Sequence, residues 1–261
     1  MDISEIARRL KPVSETPLLE ARLLVASVAA DELEAAIQRR LREEPLSKII
    51  GRKGFWKGEF ITGLDVLDPR PDSETVIEAV LHFFPGHDHP YRILDIGTGS
   101  GCLLYTLLDE YPQATGIGLD ISEKALKIAE RNRQNRAADL ICRDFNKPDW
   151  FRDLGQFDVI VSNPPYIPTD TIPSLSRTVT AYDPLIALDG GVDGLSAYRV
   201  LASTVMPILA VKGMLFLEIG KGQAQPVIDI FQSCQFRHRQ TFNDFGSVER
   251  VLAFTRGDDD N

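Results

Sequence analysis

From about residue 73 onward the chain alternates short apolar runs with stretches of helical length, and no other feature restricts its fold so tightly. Residues 91–95 read Tyr-Arg-Ile-Leu-Asp, a short buried strand, and 114–119, 140–142, 157–162 and 214–219 are further apolar runs of strand type. Between them, 73–84, 100–111 and 122–135 read as helices. Strands separated by helices need right-handed crossovers, so they lie parallel in one sheet covered on both faces. Residues 235–241 and 248–255 read as a closing antiparallel hairpin. The predicted fold is α/β, a doubly wound, mostly parallel sheet ending in that hairpin.

The first part of the chain follows a different rhythm. Thr16-Pro17 reads as a cap with proline at the first helical position, Asp31 and Glu34 as a capping box, and Pro45 as a stop. Ala21, Leu24, Val25 and Val28 fall at helical spacing and give that segment an apolar face. Residues 1–45 are therefore expected to form a small helical domain, a lid or adaptor. Residues 46–68, with Ile49-Ile50-Gly51, Phe55-Trp56 and Phe60-Ile61, are expected to form a connecting β-hairpin. The sheet domain then spans 69–256, and 257–261 (Gly-Asp-Asp-Asp-Asn) is expected to be a disordered acidic tail.

Composition narrows the partners. Twenty-nine Lys and Arg against 38 Asp and Glu leave a net charge of −9, which weighs against a polyanionic substrate such as DNA or RNA. Arg39-Arg40-Leu41-Arg42 and Arg131-Asn132-Arg133 read as solvated helix faces. Cys102, Cys142 and Cys234 have no metal-ligand spacing and read as core-facing residues of a cytoplasmic protein. The start, Met-Asp-Ile-Ser-Glu, is acidic where a signal peptide is basic, and the apolar stretch 18–30 is interrupted by Glu20 and Arg22. No membrane partner is expected, nor a metal: His87-Asp88-His89 sits in a Pro/Gly-flanked loop without a third ligand.

Gly97-Thr98-Gly99-Ser100-Gly101 follows the first strand of the sheet directly and opens a helix. Glycines there permit a tight turn and close approach of a ligand beyond the carboxyl ends of the strands. The spacing is GxGxG, with Cys102 where a dinucleotide fingerprint has its third glycine. That favours a nucleoside without a pyrophosphate over NAD or FAD, although a glycine turn can also join strand to helix with no ligand. Asp120 closes the next strand, where a carboxylate accepts both hydrogens of a ribose diol or else caps the helix near Ser122. After the third strand, Asp144 can accept from an adenine amino group and Phe145 can line the ring.

Asn163-Pro164-Pro165-Tyr166 follows the strand 157–162 at the same edge. A strand ending in a proline-rich turn accounts for Pro-Pro alone. The full tetrapeptide fits a chemistry: methyl transfer from a sulfonium to a planar amide or amino nitrogen. Such a nitrogen has a delocalised lone pair, so both its N–H bonds must be gripped and aimed. Asn163 offers a side-chain oxygen and Pro164 a backbone carbonyl, while consecutive prolines fix φ and carry no N–H. Tyr166 supplies an aromatic wall, and the contacts act by positioning and preorganised electrostatics.

The chain resembles the release-factor glutamine methyltransferases (the PrmC/HemK family) from about residue 45 nearly to its end. The resemblance is carried by 44–46, Phe55-Trp56, Pro69-Arg70-Pro71-Asp72-Ser73-Glu74, 93–101, 161–168, Leu188-Asp189-Gly190-Gly191-Val192-Asp193-Gly194 and Leu217-Glu218-Ile219-Gly220. It implies a Rossmann-like methyltransferase fold. The implied reaction moves a methyl group from S-adenosylmethionine to the glutamine amide of a Gly-Gly-Gln motif in peptide chain release factors. By position, Gly97 to Gly101 and Asp120 would hold the methionine and ribose parts, and Asp144 and Phe145 would flank adenine. Asn163 would touch cofactor and substrate, and Asn163 to Tyr166 would grip the amide. Arg70 would lie near the cofactor carboxylate or serve as a salt bridge anchoring the hairpin. Residues 167–196 are long for a passive connection and are expected to wall the substrate.

Three positions depart from the family: Asp68 stands where an aliphatic residue precedes Pro-Arg-Pro, Gly246 to Arg250 replaces a Gly-x-Asp-Arg element, and the helical part is short. The resemblance therefore carries catalysis further than partner recognition. A monomer is expected. Three rival readings stand beside it. A related family methylates a glutamine of a large-subunit ribosomal protein, but Pro69-Arg70-Pro71 followed by an acid favours the release-factor branch. An adenine-amino DNA methyltransferase uses the same grip, but must flip its base and hold phosphates. A non-catalytic adaptor has no need of an amide grip.

Overall fold

The computed structural model describes residues 2–257. Three helices open the chain, α1 (Ile3–Leu10), α2 (Pro17–Ser27) and α3 (Leu33–Leu41), and they enclose a core of their own around Ile6, Leu10, Leu24 and Ile37. Ala21 and Leu24 are buried there, but Val25 of the expected apolar face is exposed. Pro17 stands in the first turn of α2, although the Thr16 side chain caps nothing. The Asp31–Glu34 capping box does not form either. Glu34 instead makes a bidentate pair with Arg9 at 2.8 and 2.6 Å, an interhelix contact that outcompetes the local cap. Arg40, expected on a solvated face, is buried and bonds Glu20 at 2.7 Å.

The connecting hairpin is shorter than expected. Residues 46–50 form a helical turn, α4 (Leu46–Ile50), framed by Pro45 and by Gly51 at φ +74°, whose N–H donates to Ser47 O. Ile49-Ile50 reads as strand by β-branching, but the two framing residues decide for the helix. The hairpin itself pairs β1 (Arg52–Phe55) with β2 (Gly58–Ile61). The buried Asn132 side chain fastens it, accepting from Ile61 N at 2.8 Å and donating to Ile61 O and Ser100 O at 2.9 Å.

A short 3₁₀ turn, Pro71–Ser73, leads into α5 (Glu74–Phe83). Then follow β3 (Arg92–Ile96), α6 (Cys102–Glu110), β4 (Thr115–Asp120), α7 (Glu123–Arg133), β5 (Ala138–Cys142) and β6 (Phe157–Ser162). The remaining elements are α8 (Arg177–Thr180), α9 (Ser196–Thr204), β7 (Leu209–Glu218), α10 (Ala224–Ser233), β8 (Phe236–Asn243) and β9 (Glu249–Arg256). The seven-stranded sheet has the order β5-β4-β3-β6-β7-β9-β8, with the first five strands parallel and β9 antiparallel to both its neighbours, β7 and β8. This is the doubly wound sheet with a closing hairpin that the sequence predicts. Helices α5, α6 and α7 cover one face through Val80, Leu104 and Ala129, and α9 and α10 cover the other through Leu201 and Phe231. Cys102 and Cys234 are half-buried against these cores, whereas Cys142, on edge strand β5, is exposed.

The topology fixes the site. The chain runs from β3 outward to β4 and β5, then returns to β6 on the other side of β3. The strand order reverses between β3 and β6, the place where open α/β sheets leave a crevice. Ile96 pairs with Ser162 at the carboxyl ends, and Ser162 Oγ donates to Ile96 O at 2.7 Å. Gly97 and Asn163 therefore leave the sheet side by side. Among the described residues no peptide bond is cis, no helix is long and apolar enough to cross a membrane, and no His/Cys/Asp/Glu group could hold a metal. His87 and His89 pack on Tyr111 and Tyr91. At the end, Gly257 N–H donates to Gln235 O, and the remainder of the expected tail, 258–261, lies outside the described residues.

Candidate active site

The glycine turn is held by the strand beside it: the N–H groups of Gly97 and Thr98 both donate to Leu119 O at 2.8 Å. All three of its glycines take positive φ, +78°, +56° and +81°. A Cβ added at Gly97 or Gly99 meets nothing within 4 Å, so their bare faces open onto space that a ligand can fill. Gly101 serves differently, since a Cβ there would lie 2.2 Å from the Tyr105 ring. Asp120 turns both oxygens to the backbone: Oδ2 accepts from Gly99 N and Oδ1 from Ser122 N, each at 2.9 Å, and the cap of α7 falls to Ser122 Oγ instead. Burial raises the Asp120 carboxyl pKa, against the N–H groups of Ser122, Gly99 and Ile121.

This turn forms one side of a cavity of about 260 Å³. Gly97, Thr98, Gly99, Ser100, Asp120, Asp144, Phe145, Asn163 and Arg70 all line it; Gly101 does not. Asp144 spends Oδ1 on Asn146 N and Nδ2, at 2.9 and 2.8 Å, which shapes its turn. The bare faces of Gly97 and Gly99, the Asp120 carboxyl group and the apolar surfaces of Phe145 and Ile121 together suit a nucleoside bearing a polar tail.

A second cavity of about 360 Å³ adjoins the first. Tyr166 lines this one rather than the first, along with Val179, Leu188 and Glu218. Asn163, Arg70, Leu67 and Ala187 line both cavities. Asn163 thus stands on the wall shared by the two, with Nδ2 donating to Ser73 Oγ at 3.2 Å. Pro164 and Pro165 line the first cavity. Burial first, then the nearby Glu218 charge, raises the Tyr166 phenol pKa.

The tetrapeptide is braced from behind by Gly190 and Gly194. A Cβ at Gly190 would come within 2.8 Å of Tyr166 Cα and 2.9 Å of Pro165 O, and one at Gly194 within 2.4 Å of Tyr166 O. Gln223 completes the brace, with Nε2 donating to Tyr166 O at 2.9 Å and Oε1 accepting from Gly220 N at 2.9 Å. Residues 167–196 wall both cavities, the first through Pro184 and Ile186 and the second through Leu175 and Val179.

Arg70 forms a salt bridge to the wall and not to the hairpin: its Nη2 lies 2.5 Å from Asp183 Oδ2, and the residue lines both cavities. Lys48, whose side chain is fully buried, lies 2.8 Å from Asp68 Oδ1 and 3.3 Å from Asp183 Oδ1, and donates to Gly63 O and Val66 O. Asp68 also accepts from the hydroxyls of Ser47 and Thr62. Burial pushes the Asp68 carboxyl up, but Lys48 and the two hydroxyls outweigh it and hold its pKa below the usual value. The departure from an aliphatic residue at 68 is thus matched by a buried lysine on α4.

Sequence reasoning gave no role to Glu218, Ser73, Gln223 or Asp183, although Ser73 and Glu218 stand in segments that carry the resemblance. Glu218 and Asp95 are the most perturbed carboxyls of the region, each about 1% exposed and each pushed up to about 7 chiefly by burial. The available signal was a carboxylate at the end of an otherwise apolar strand, since 214–219 reads Met-Leu-Phe-Leu-Glu-Ile.

Residues 87–206 match the sequence family described as a methyltransferase domain. The release factor glutamine methyltransferase of Rhodospirillum rubrum is 44% identical over 241 residues, covering 92% of this chain and 73% of that protein. That of Agrobacterium fabrum is 37% identical, covering 92% of this chain and 91% of that one. The crystal structure of a methyltransferase from Pyrococcus furiosus has the same fold, with a TM-score of 0.55 at 16% identity, covering 84% of this chain and 97% of that one.

Proposed function

This chain belongs to the release factor glutamine methyltransferase family, and on that premise we propose how its site methylates the glutamine side chain of a peptide chain release factor, in the Gly-Gly-Gln motif, to give N5-methylglutamine. S-adenosylmethionine supplies the methyl group on a sulfonium. The Gly97–Gly101 turn receives its polar tail, Asp120 its ribose hydroxyls, and Asp144 and Phe145 its adenine. Arg70 closes the far side while staying paired to Asp183.

One observation carries the reading: Asn163 lines the cofactor cavity and the second cavity together. A group on that shared wall can hold a nucleophile from one cavity within reach of an electrophile in the other. Asn163 Oδ1 and Pro164 O accept the two amide hydrogens of the substrate, which turns the nitrogen toward the methyl group. Tyr166, fixed from behind by Gly190, Gly194 and Gln223, packs against the planar amide. As the nitrogen–carbon bond forms, the carbon–sulfur bond breaks with its electron pair left on sulfur, and the nitrogen sheds one proton to water. Acceptors already aimed at both N–H bonds stabilise the charge that develops on nitrogen.

The helices of residues 1–45 meet the partner protein in this reading, and the enzyme works as a cytoplasmic monomer. Its net charge of −9 weighs against a nucleic-acid substrate. Methyl transfer from labelled cofactor to a release factor, to its Gly-Gly-Ala variant and to duplex DNA tests this. Label on the first alone is expected, and Asn163→Ala is expected to abolish it while still binding cofactor. Label on DNA, or on both release factors, overturns the substrate.

A further inference from the structure

Glu218 ends β7 next to the strand that delivers Asn163, and it is buried at the floor of the second cavity. Ser73 and Asn163 lie against its carboxyl group and hold its pKa down, and Asn163 Nδ2 donates to Ser73 Oγ at 3.2 Å. Its Oε2 has no hydrogen-bond partner. The NH₂ end of Asn163 therefore faces the Ser73 hydroxyl, with the Glu218 carboxyl group beside it. Turning the amide over would bring Oδ1 toward that carboxylate and forfeit the bond to Ser73 Oγ. The two ends of an asparagine differ only in what they offer, a carbonyl or an N–H pair, so the neighbours decide which end a substrate meets.

We infer that Glu218, with Ser73, is a positioning residue that fixes the amide orientation of Asn163 so that Oδ1 faces the substrate amide; this rests on the methyl-transfer reading above. A substrate N–H needs an acceptor there, and an inverted Asn163 would present a second donor. The lock depends on the charge state of Glu218. Ionised, it only accepts. Protonated, its O–H can donate to Asn163 Oδ1 and stabilise the inverted amide. Arg250 of β9, Asp72 of the preceding 3₁₀ turn, Tyr166 and Tyr198 face the same carboxyl group. Burial, with Asp72 adding to it and Ser73, Arg250 and Asn163 opposing, places its titration at about 7. Transfer should accordingly rise through neutral pH.

The test compares wild type with Glu218→Gln, a variant of the same shape whose amide can donate to Asn163 Oδ1. Amide NMR follows the side-chain NH₂ pair of Asn163, assigned by its loss in Asn163→Asp, from pH 5 to 9. In wild type that pair should shift with a midpoint near 7, and in Glu218→Gln it should stay put. With a release factor as substrate, kcat/KM of the variant should fall about tenfold at pH 8, the worth of one net hydrogen bond. Cofactor Kd should be unchanged and the neutral limb of the pH profile lost. An Asn163 signal indifferent to pH and to the substitution overturns the inference, as does a limb that survives in Glu218→Gln, which Asp95 would then own. Should wild type transfer nothing to a release factor, the functional reading fails, while the NMR titration still decides the role of Glu218.

Discussion

Asp95 and Glu218 are carboxyl groups held where charge is unwelcome, one beneath the glycine turn and the other beneath Asn163. Each has its folded pKa raised to about 7 from an ordinary value of 3.8 or 4.5, mainly by burial. A carboxyl raised in this way stabilises the fold as the neutral acid. That contribution is complete below the unfolded value and is lost as pH rises to about 7, because over that window the native state holds a proton that the unfolded chain has released. Loss of roughly 3–4 kcal/mol is the order expected for each group. Denaturant melts of wild type should show stability falling from pH 5 to pH 8. In Glu218→Gln the fall should be smaller, with the Asp95 share remaining. A variant whose stability tracks wild type at every pH would show that Glu218 is not the group titrating. Function thus sits against stability at this residue, since the ionised form that orients Asn163 is also the form the fold disfavours.

The elements that carry these residues were legible to different depths. Alternating strands and helices, the glycine turn and Asn163-Pro164-Pro165-Tyr166 follow from periodicity and motif. Both motifs reach the site because β3 and β6 are neighbours at the reversal of strand order. The one-turn helix α4 was missed, since the strand propensity of Ile49-Ile50 masks the framing Pro45 and Gly51, and the partners that bury Lys48 lie far away in sequence. Glu218 and Gln223 were hidden for a similar reason: their partners Ser73, Asn163 and Tyr166 lie far away in sequence. Gly194 shows what the Leu-Asp-Gly-Gly-x-Asp-Gly element does. Its φ is +73°, and a Cβ would stand 2.4 Å from Tyr166 O and 2.7 Å from Gln223 Nε2. Gly194→Ala should cost about 2 kcal/mol or more, seen as a melting temperature lower by roughly 5 °C. It should also impair transfer more than cofactor affinity, because the displaced backbone belongs to Tyr166 and not to the glycine turn. Unchanged transfer with weakened cofactor binding would assign the brace to the wrong cavity.

On the scale of the whole molecule, the N-terminal helices have a core of their own and the sheet has one on each face. What joins them beside the site is a buried cluster of charge. Lys48 comes from α4, Asp68 from the segment entering the Pro-Arg-Pro element, and Asp183 from the wall over both cavities, where it also holds Arg70. Such clusters are weak evidence for stability, since desolvation offsets much of the attraction, yet breaking one strands a buried charge. Lys48→Met should therefore destabilise the protein by about 3–5 kcal/mol, by leaving two carboxylates facing each other in a low-dielectric site. Asp68→Leu replaces the carboxylate with an aliphatic side chain and leaves Lys48 with Asp183, Gly63 O and Val66 O, so it should cost less. The double variant should be more stable than Lys48→Met alone, because one of the stranded charges is gone. Urea melts of the four proteins form a double-mutant cycle, and additive costs would show that Lys48 and Asp68 act separately. Coupling joined to a loss of release-factor methylation, with cofactor still bound, would show that the cluster also sets the position of the wall that closes the second cavity.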